Sequence, residues 1–197
     1  DMAVTLSGAC DAATGAAHFP DLCRGLSDGA HAAARTDVGA QLAGFLGGAG
    51  DALRNADRVE GTRLALALEA GAERVTEGDD GAHPGSLLAV MSAAADGALD
   101  ASDAGSDLVE VLVSAAEAGL VELEQGPVAD AKLSESGTVD GAAAGFLLVL
   151  DSLAAFVSGD PLPEPPRLDR EPPTTPSAGA ARFSVRGRIT PPDPGLE

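Results

Sequence analysis

Tryptophan and tyrosine are absent from this 197-residue sequence, phenylalanine occurs five times, and lysine occurs once, as Lys132. So few aromatics mean that a core has to be built from Leu, Val and Ala. Twelve basic residues stand against 31 acidic ones, a net charge of −19. That balance argues against a nucleic-acid partner, because phosphate neutralisation needs clustered Lys and Arg. It works equally against docking on anionic membranes. Cys10 and Cys23 are the only cysteines, too few for a disulfide scaffold of this size. They read as reduced thiols of a cytoplasmic protein. The first residues lack a basic n-region and a long apolar h-region, so no signal peptide is expected. The longest apolar stretch, 145–157, is interrupted by Asp151 and Ser152 and falls short of a bilayer span. A soluble protein without membrane insertion is expected.

What is present is enough to build a core: 45% of the residues are hydrophobic. Proline divides the chain. Residues 1–159 hold three prolines and residues 160–197 hold ten. Charge divides with it, since 1–159 carries 7 basic and 25 acidic residues, net −18. The expected organisation is a folded domain over 1–159 and an extended Pro-rich linker over 160–180. The segment 181–197 contains ARFSVRGRI, which alternates like a strand. It reads as an arm or as the start of a further domain.

Within 1–159 the apolar residues recur with helical period. Leu64, Ala67, Leu68, Gly71, Ala72 and Val75 form one stripe. Leu108, Val111, Leu112, Ala115, Gly119 and Leu123 form a second, and Phe146, Val149, Leu150, Leu153 and Val157 a third. About seven helices follow, near 2–13, 20–34, 38–55, 60–77, 85–100, 105–124 and 141–158. Asp103 or Ser106 is expected to cap the sixth, and Gly159 followed by Pro161 to stop the last. The fold class is all-α, an antiparallel helical barrel or bundle with a core of Leu, Val and Ala.

Chemistry is sought in the connections. AARTDVGA (33–40), AHPGSLLAV (82–90) and TVDGAAAGF (138–146) are rich in small residues. Each runs into the start of a helix, where free N–H groups and the macrodipole favour anions. The ordinary reading of any one such loop is capping and close packing. Cys10, His18, Cys23 and His31 have spacings of 8, 5 and 8 and fit no zinc-finger pattern. Glu77, Asp79 and Asp80 read as a solvated loop, and Glu122 and Glu124 as surface charge at the end of the sixth helix. No metal site is expected.

Taken in order, the three loops resemble the nucleotide-binding domain of dihydroxyacetone kinases, in the version found at the front of bacterial fatty-acid kinases. That family carries a Gly-Ala-Arg-Gly-Asn-Ser-Gly loop, then Pro-Val-Glu-Gly-Thr, then Val-Asp-Ala-Gly-Gly-x-Gly-Phe. The last survives here as Val139-Asp140-Gly141-Ala142-Ala143-Ala144-Gly145-Phe146. The flanking text QLAGFLGGAGDAL, EGTRLALALEAGAERV, SLLAVMSAAADGAL and GFLLVLDSLAAFVSGDPLPEP is similar to the family too, over residues 1–166. The resemblance implies a helical barrel binding ATP across the loops at one end, with Mg²⁺ held by an Asp-x-Asp-x-Gly-x-Asn motif. It implies a nucleotide site lined by Asp1, Thr36, Asp37, Gly39, Ser86, Leu87, Asp140 and Gly141. It also implies a fatty-acid-carrier protein as a partner.

The chain departs from the family pattern at the chemistry. The metal-binding aspartates have no counterpart in it, and Asp1 stands where the final Asn of that motif would be, so either the motif lies upstream of residue 1 or this member is degenerate. Arg35 and Gly39 are kept, but Thr36, Asp37 and Val38 replace Gly, Asn and Ser. Val38 has no hydroxyl to give a phosphate, and Asp37 puts a negative charge there. Pro84 replaces Glu, and Ser86 stands for Thr. Ala142 and Ala143 replace two glycines, and their methyls are expected to crowd an approaching adenine or ribose. Two functions follow as expectations. One is an ATP-dependent kinase domain acting on dihydroxyacetone-like molecules or partner-bound fatty acids, degenerate in this chain. The other is a catalytically inactive helical interaction or scaffold domain.

Overall fold

A computed structural model describes residues 2–77, 82–129 and 139–162, with side chains 127–129 left aside. Asp1, residues 78–81 with the acidic Asp79 and Asp80, residues 130–138 and the residues from 163 on, including most of the expected linker and all of the expected strand, lie outside the described residues. Among the described residues there are seven α-helices and no strand. They are α1 (Met2–Ala13), α2 (Phe19–Ala33), α3 (Asp37–Leu53), α4 (Gly61–Thr76), α5 (Leu87–Asp103), α6 (Leu108–Ala129) and α7 (Gly141–Ser158).

Each helix packs on the next in sequence, and residue contacts give the direction. A Cβ on Gly25 would lie 2.8 Å from Ala13 Cα, while Gly8 faces Ala33, so α1 and α2 run antiparallel. Gly50 on α3 faces Cys23 and Gly47 faces His31. Val75 faces Gly44, while Arg74 pairs with Asp51 at 2.7 Å. Ser102 donates to Thr62 at 3.0 Å between the end of α5 and the start of α4. Gly97 faces Ser114 and Ala118. The result is an up-and-down helical bundle in which α1, α3, α5 and α7 all begin at one end, hereafter the cap end.

The helix stops and starts follow from local chemistry. Thr36, Ser86 and Asp140 cap α3, α5 and α7 with their own side chains. At α6 the cap is neither Asp103, which ends α5, nor Ser106. Asp107 Oδ1 accepts from the Val109 and Glu110 N–H groups at 2.9 and 3.0 Å, and Glu110 Oε2 accepts from Asp107 N–H at 3.1 Å. This is a capping box, with Asp in place of the usual Ser or Thr. Gly159 at φ 78° ends α7 as expected, with Asp160 N–H returning to the Ala155 carbonyl at 2.9 Å. The sixth helix runs past the expected residue 124 to Ala129. Gly126 and Pro127 do not stop it, since Pro in the last turn forfeits only one backbone bond.

Core side chains include Leu42, Val90, Met91, Leu112, Phe146 and Leu150, each at most 2% exposed. Small residues supply the rest, among them Ala65, Ala98 and Ala115. Ala9, Ala30 and Ala43 form a separate cluster between α1, α2 and α3. The α4 and α6 stripes face the core as expected. The α7 stripe is shifted: Ala143, Phe146, Leu147 and Leu150 are buried, whereas Leu153 and Val157 are exposed. A helix apolar on every face cannot announce which face will be buried. With Gly141–Ala144 and Ser158 added to the expected stretch, α7 reaches 18 residues at mean hydropathy 1.8. By length and composition alone that is enough to cross a membrane, contrary to the expectation for 145–157. An apolar cavity of about 320 Å³ lies between α2, α3, α4 and α7, lined by Phe19, Leu22, Leu42, Phe45, Leu68 and Phe146 among others.

Candidate functional site

Antiparallel packing puts the segments 33–40 and 82–90, and the described part of the third, 139–146, at the cap end. Thr36, Asp37, Gly39, Ser86, Leu87, Asp140 and Gly141 are therefore at the same end of the bundle, and Asp1 lies outside the described residues. The start of α1 joins them, since a Cβ on Gly145 of α7 would lie 2.9 Å from Met2 Sδ.

Six backbone donors here are engaged by side-chain oxygens. Thr36 Oγ1 accepts from Gly39 N–H at 3.2 Å. Ser86, 6% exposed, accepts through Oγ from Ala89 N–H at 3.3 Å and from His83 N–H at 3.2 Å. Asp140 Oδ1 accepts from Ala142 N–H at 2.7 Å and Ala143 N–H at 3.1 Å. Gly85 N–H donates to Glu122 Oε1 at 3.0 Å, across from α6. Glu122 is thus a structural tether at this end rather than surface charge at a helix terminus. No signal in the sequence links two residues 37 positions apart. Asp37 is exposed in the first turn of α3. Arg35 turns away, donating to the Ala32 and Ala34 carbonyls at 2.7 and 3.1 Å.

Two of the retained glycines have packing reasons. A Cβ on Gly39 would lie 2.8 Å from Thr5 Oγ1 of α1. Gly85 sits at φ 74° with its α-carbon facing Gly126 of α6 so closely that no side chain fits. Gly141 differs, because a Cβ there would meet nothing within 4 Å. Leu87 turns its side chain into the core, 3% exposed, and offers this end only its main chain. The expected crowding by Ala143 does not occur, since its methyl is fully buried in the core. Ala142 is half-buried and packs against that core.

Among the described residues no group of three or more His, Cys, Asp or Glu side chains is gathered as a metal would require. Cys23 is buried on α2, and burial pushes its thiol above the ordinary value of 9.0. Cys10, His18 and His31 are exposed.

A search of curated proteins finds no match. The family model of the DAK2 domain matches residues 1–155. The chain belongs to the DAK2 domain family, the dihydroxyacetone kinase family.

Proposed function

We propose that this member of a kinase family does not transfer phosphoryl groups at its cap end and serves instead as a helical interaction or scaffold domain. The observation that carries the reading is the state of the helix N-termini. At these ends the Gly39 N–H is held by Thr36, the Ala89 N–H by Ser86 and the Ala142 and Ala143 N–H groups by Asp140, while the neighbouring Gly85 N–H is held by Glu122. A nucleotide phosphate would have to displace hydroxyls and carboxylates from these donors. It would then sit beside Asp37, Asp140 and Glu122, with the nearest guanidinium, Arg35, folded back on α2. Val38 offers no hydroxyl, and its half-buried side chain packs on the core. The residues present do not fit ATP with Mg²⁺, so no phosphoryl-transfer step is derived through them.

One observation favours the second reading, an ATP-dependent kinase for a dihydroxyacetone-like molecule or a fatty acid held by a carrier protein. The space beside Gly141 is open, and a backbone without a side chain is what close approach of a nucleotide needs.

Isothermal titration of the full chain with ATP, with and without Mg²⁺, tests the proposal. No heat of binding is expected at high protein concentration. Micromolar, Mg²⁺-dependent binding would overturn it. The same titration on Val38→Ser separates causes. A gain in affinity assigns the loss to the missing hydroxyl, and no change assigns it to the occupied donors and the acidic charge.

A further inference from the structure

On the outer face of the bundle, α6 and α7 form an open apolar groove of about 510 Å³. Val113 and Leu120 stand on one wall and Leu148 on the other, 41%, 48% and 54% exposed, over a floor of buried Leu123 and Leu147. The positions recur every three or four residues on both helices, so the walls are two stripes, about 15 Å long on α6 and about 10 Å on α7. Each wall also carries one carboxylate, Glu117 on α6 and Asp151 on α7. Neither has a hydrogen-bond or cationic partner among the described residues.

We infer that this groove is a docking site for a cationic amphipathic helix of a partner protein. The inference rests on reading the chain as an interaction domain and names the partner that domain would hold. The groove between two antiparallel helices takes a third helix, read as apolar anchors at i, i+3 or i+4, and i+7. The unpaired carboxylates on both walls select Lys or Arg flanking those anchors. A second copy of this chain is disfavoured by the same charges. It would bring its own Glu117 and Asp151 to the contact, on a chain of net charge −19.

The test uses the full chain, without nucleotide, and two labelled peptides of about 16 residues. Both carry leucine at the anchor positions; one is flanked by lysine and the other by glutamate. Fluorescence anisotropy is expected to show the lysine peptide binding at least about tenfold more tightly, with affinity falling as salt rises. Leu120→Gln and Leu148→Gln should each weaken it about tenfold, and Glu117→Gln with Asp151→Asn should remove the salt dependence. Leu66→Gln, on α4 and 50% exposed, should change nothing. The altered leucines are near half-exposed, so thermal melts should stay within a few degrees of wild type.

Equal binding of the two peptides, or binding indifferent to Leu148→Gln, overturns the inference. So does a dimer in sedimentation that Leu148→Gln dissociates, which would give the face to a second copy. Uptake by phosphatidylcholine vesicles that the same substitution abolishes would give it to lipid and also overturn it. Mg²⁺-dependent ATP binding in the same preparation would remove the reading of the cap end while leaving the peptide result standing. Loss of the peptide signal alone would leave the cap-end reading untouched.

Discussion

The ring of Phe45 on α3 meets that of Phe146 on α7 edge to face, with centroids 5.0 Å apart and planes at 81°. In a chain with five phenylalanines and no larger aromatic, this pair links two helices far apart in sequence. Both rings also border the apolar cavity, so neither site is filled to native density on all sides. Phe146→Ala should cost about 3–5 kcal/mol, as large aromatic deletions do. The double change with Phe45→Ala should cost about 0.5–1.5 kcal/mol less than the sum, the worth of the ring contact. Urea unfolding of the four proteins measures both.

Gly85 and Glu122 fix the second cap-end loop to α6. Glu122→Ala leaves the part-buried Gly85 N–H without its acceptor and should destabilise by about 1–3 kcal/mol. Glu122→Gln keeps an acceptor oxygen and should cost less. Gly85→Ala should be worse than either. It combines a positive φ of 74° with a clash against Gly126, and strain of this kind costs about 1–3 kcal/mol before the clash is counted. Hydrogen exchange at residues 82–89 should quicken in Glu122→Ala and stay near wild type in Glu122→Gln. Equal exchange in both variants would show that the carboxylate does not hold the loop.

The fold was legible because helical period and punctuation agree in this sequence. The stripes at Leu64–Val75 and Leu108–Leu123 needed only a 3.6-residue count, and Gly159 was readable as a stop from its type alone. The cap-end loops were legible as a group only through the family resemblance, which implies a site across the loops at one end. What sequence could not supply was depth. Ala143 and Leu87 belong to loop motifs by position, yet their side chains face inward. Gly39 and Gly85 look like phosphate-loop glycines, yet helix contacts already demand them. Glu122 reaches the site only through tertiary packing, and α7, apolar all round, had no pattern from which to choose its buried face.

Asp107 and Glu110 exchange two hydrogen bonds at the start of α6, and Asp107 accepts a third from Val109 N–H. Removing the cap with Asp107→Ala should cost about 1 kcal/mol, within the 0.5–2 expected of such caps. Asp103→Ala and Ser106→Ala, the alternatives favoured by residue type, should each fall within about 0.5 kcal/mol of wild type. Denaturant midpoints at constant slope would rank the three. A larger loss at Ser106 than at Asp107 would contradict the capping box.

Cys10 is exposed and Cys23 buried, so a thiol reagent such as Ellman's should label one cysteine quickly and the second only as the protein opens. In denaturant both should react at once. The raised Cys23 thiol adds a pH effect of definite sign. Above the ordinary value of 9.0 the unfolded chain loses this proton while the folded chain keeps it. The native state then binds more protons, and stability falls as pH rises from that value toward the folded one. Other alkaline titrations are few here, since the chain has no tyrosine and a single lysine. Cys23→Ala should therefore flatten the decline in unfolding free energy as pH rises above the ordinary thiol value of 9.0. Cys10→Ala, at the exposed cysteine, is the control and should leave the decline in place. A decline that survives Cys23→Ala unchanged would show that the buried thiol is not its source.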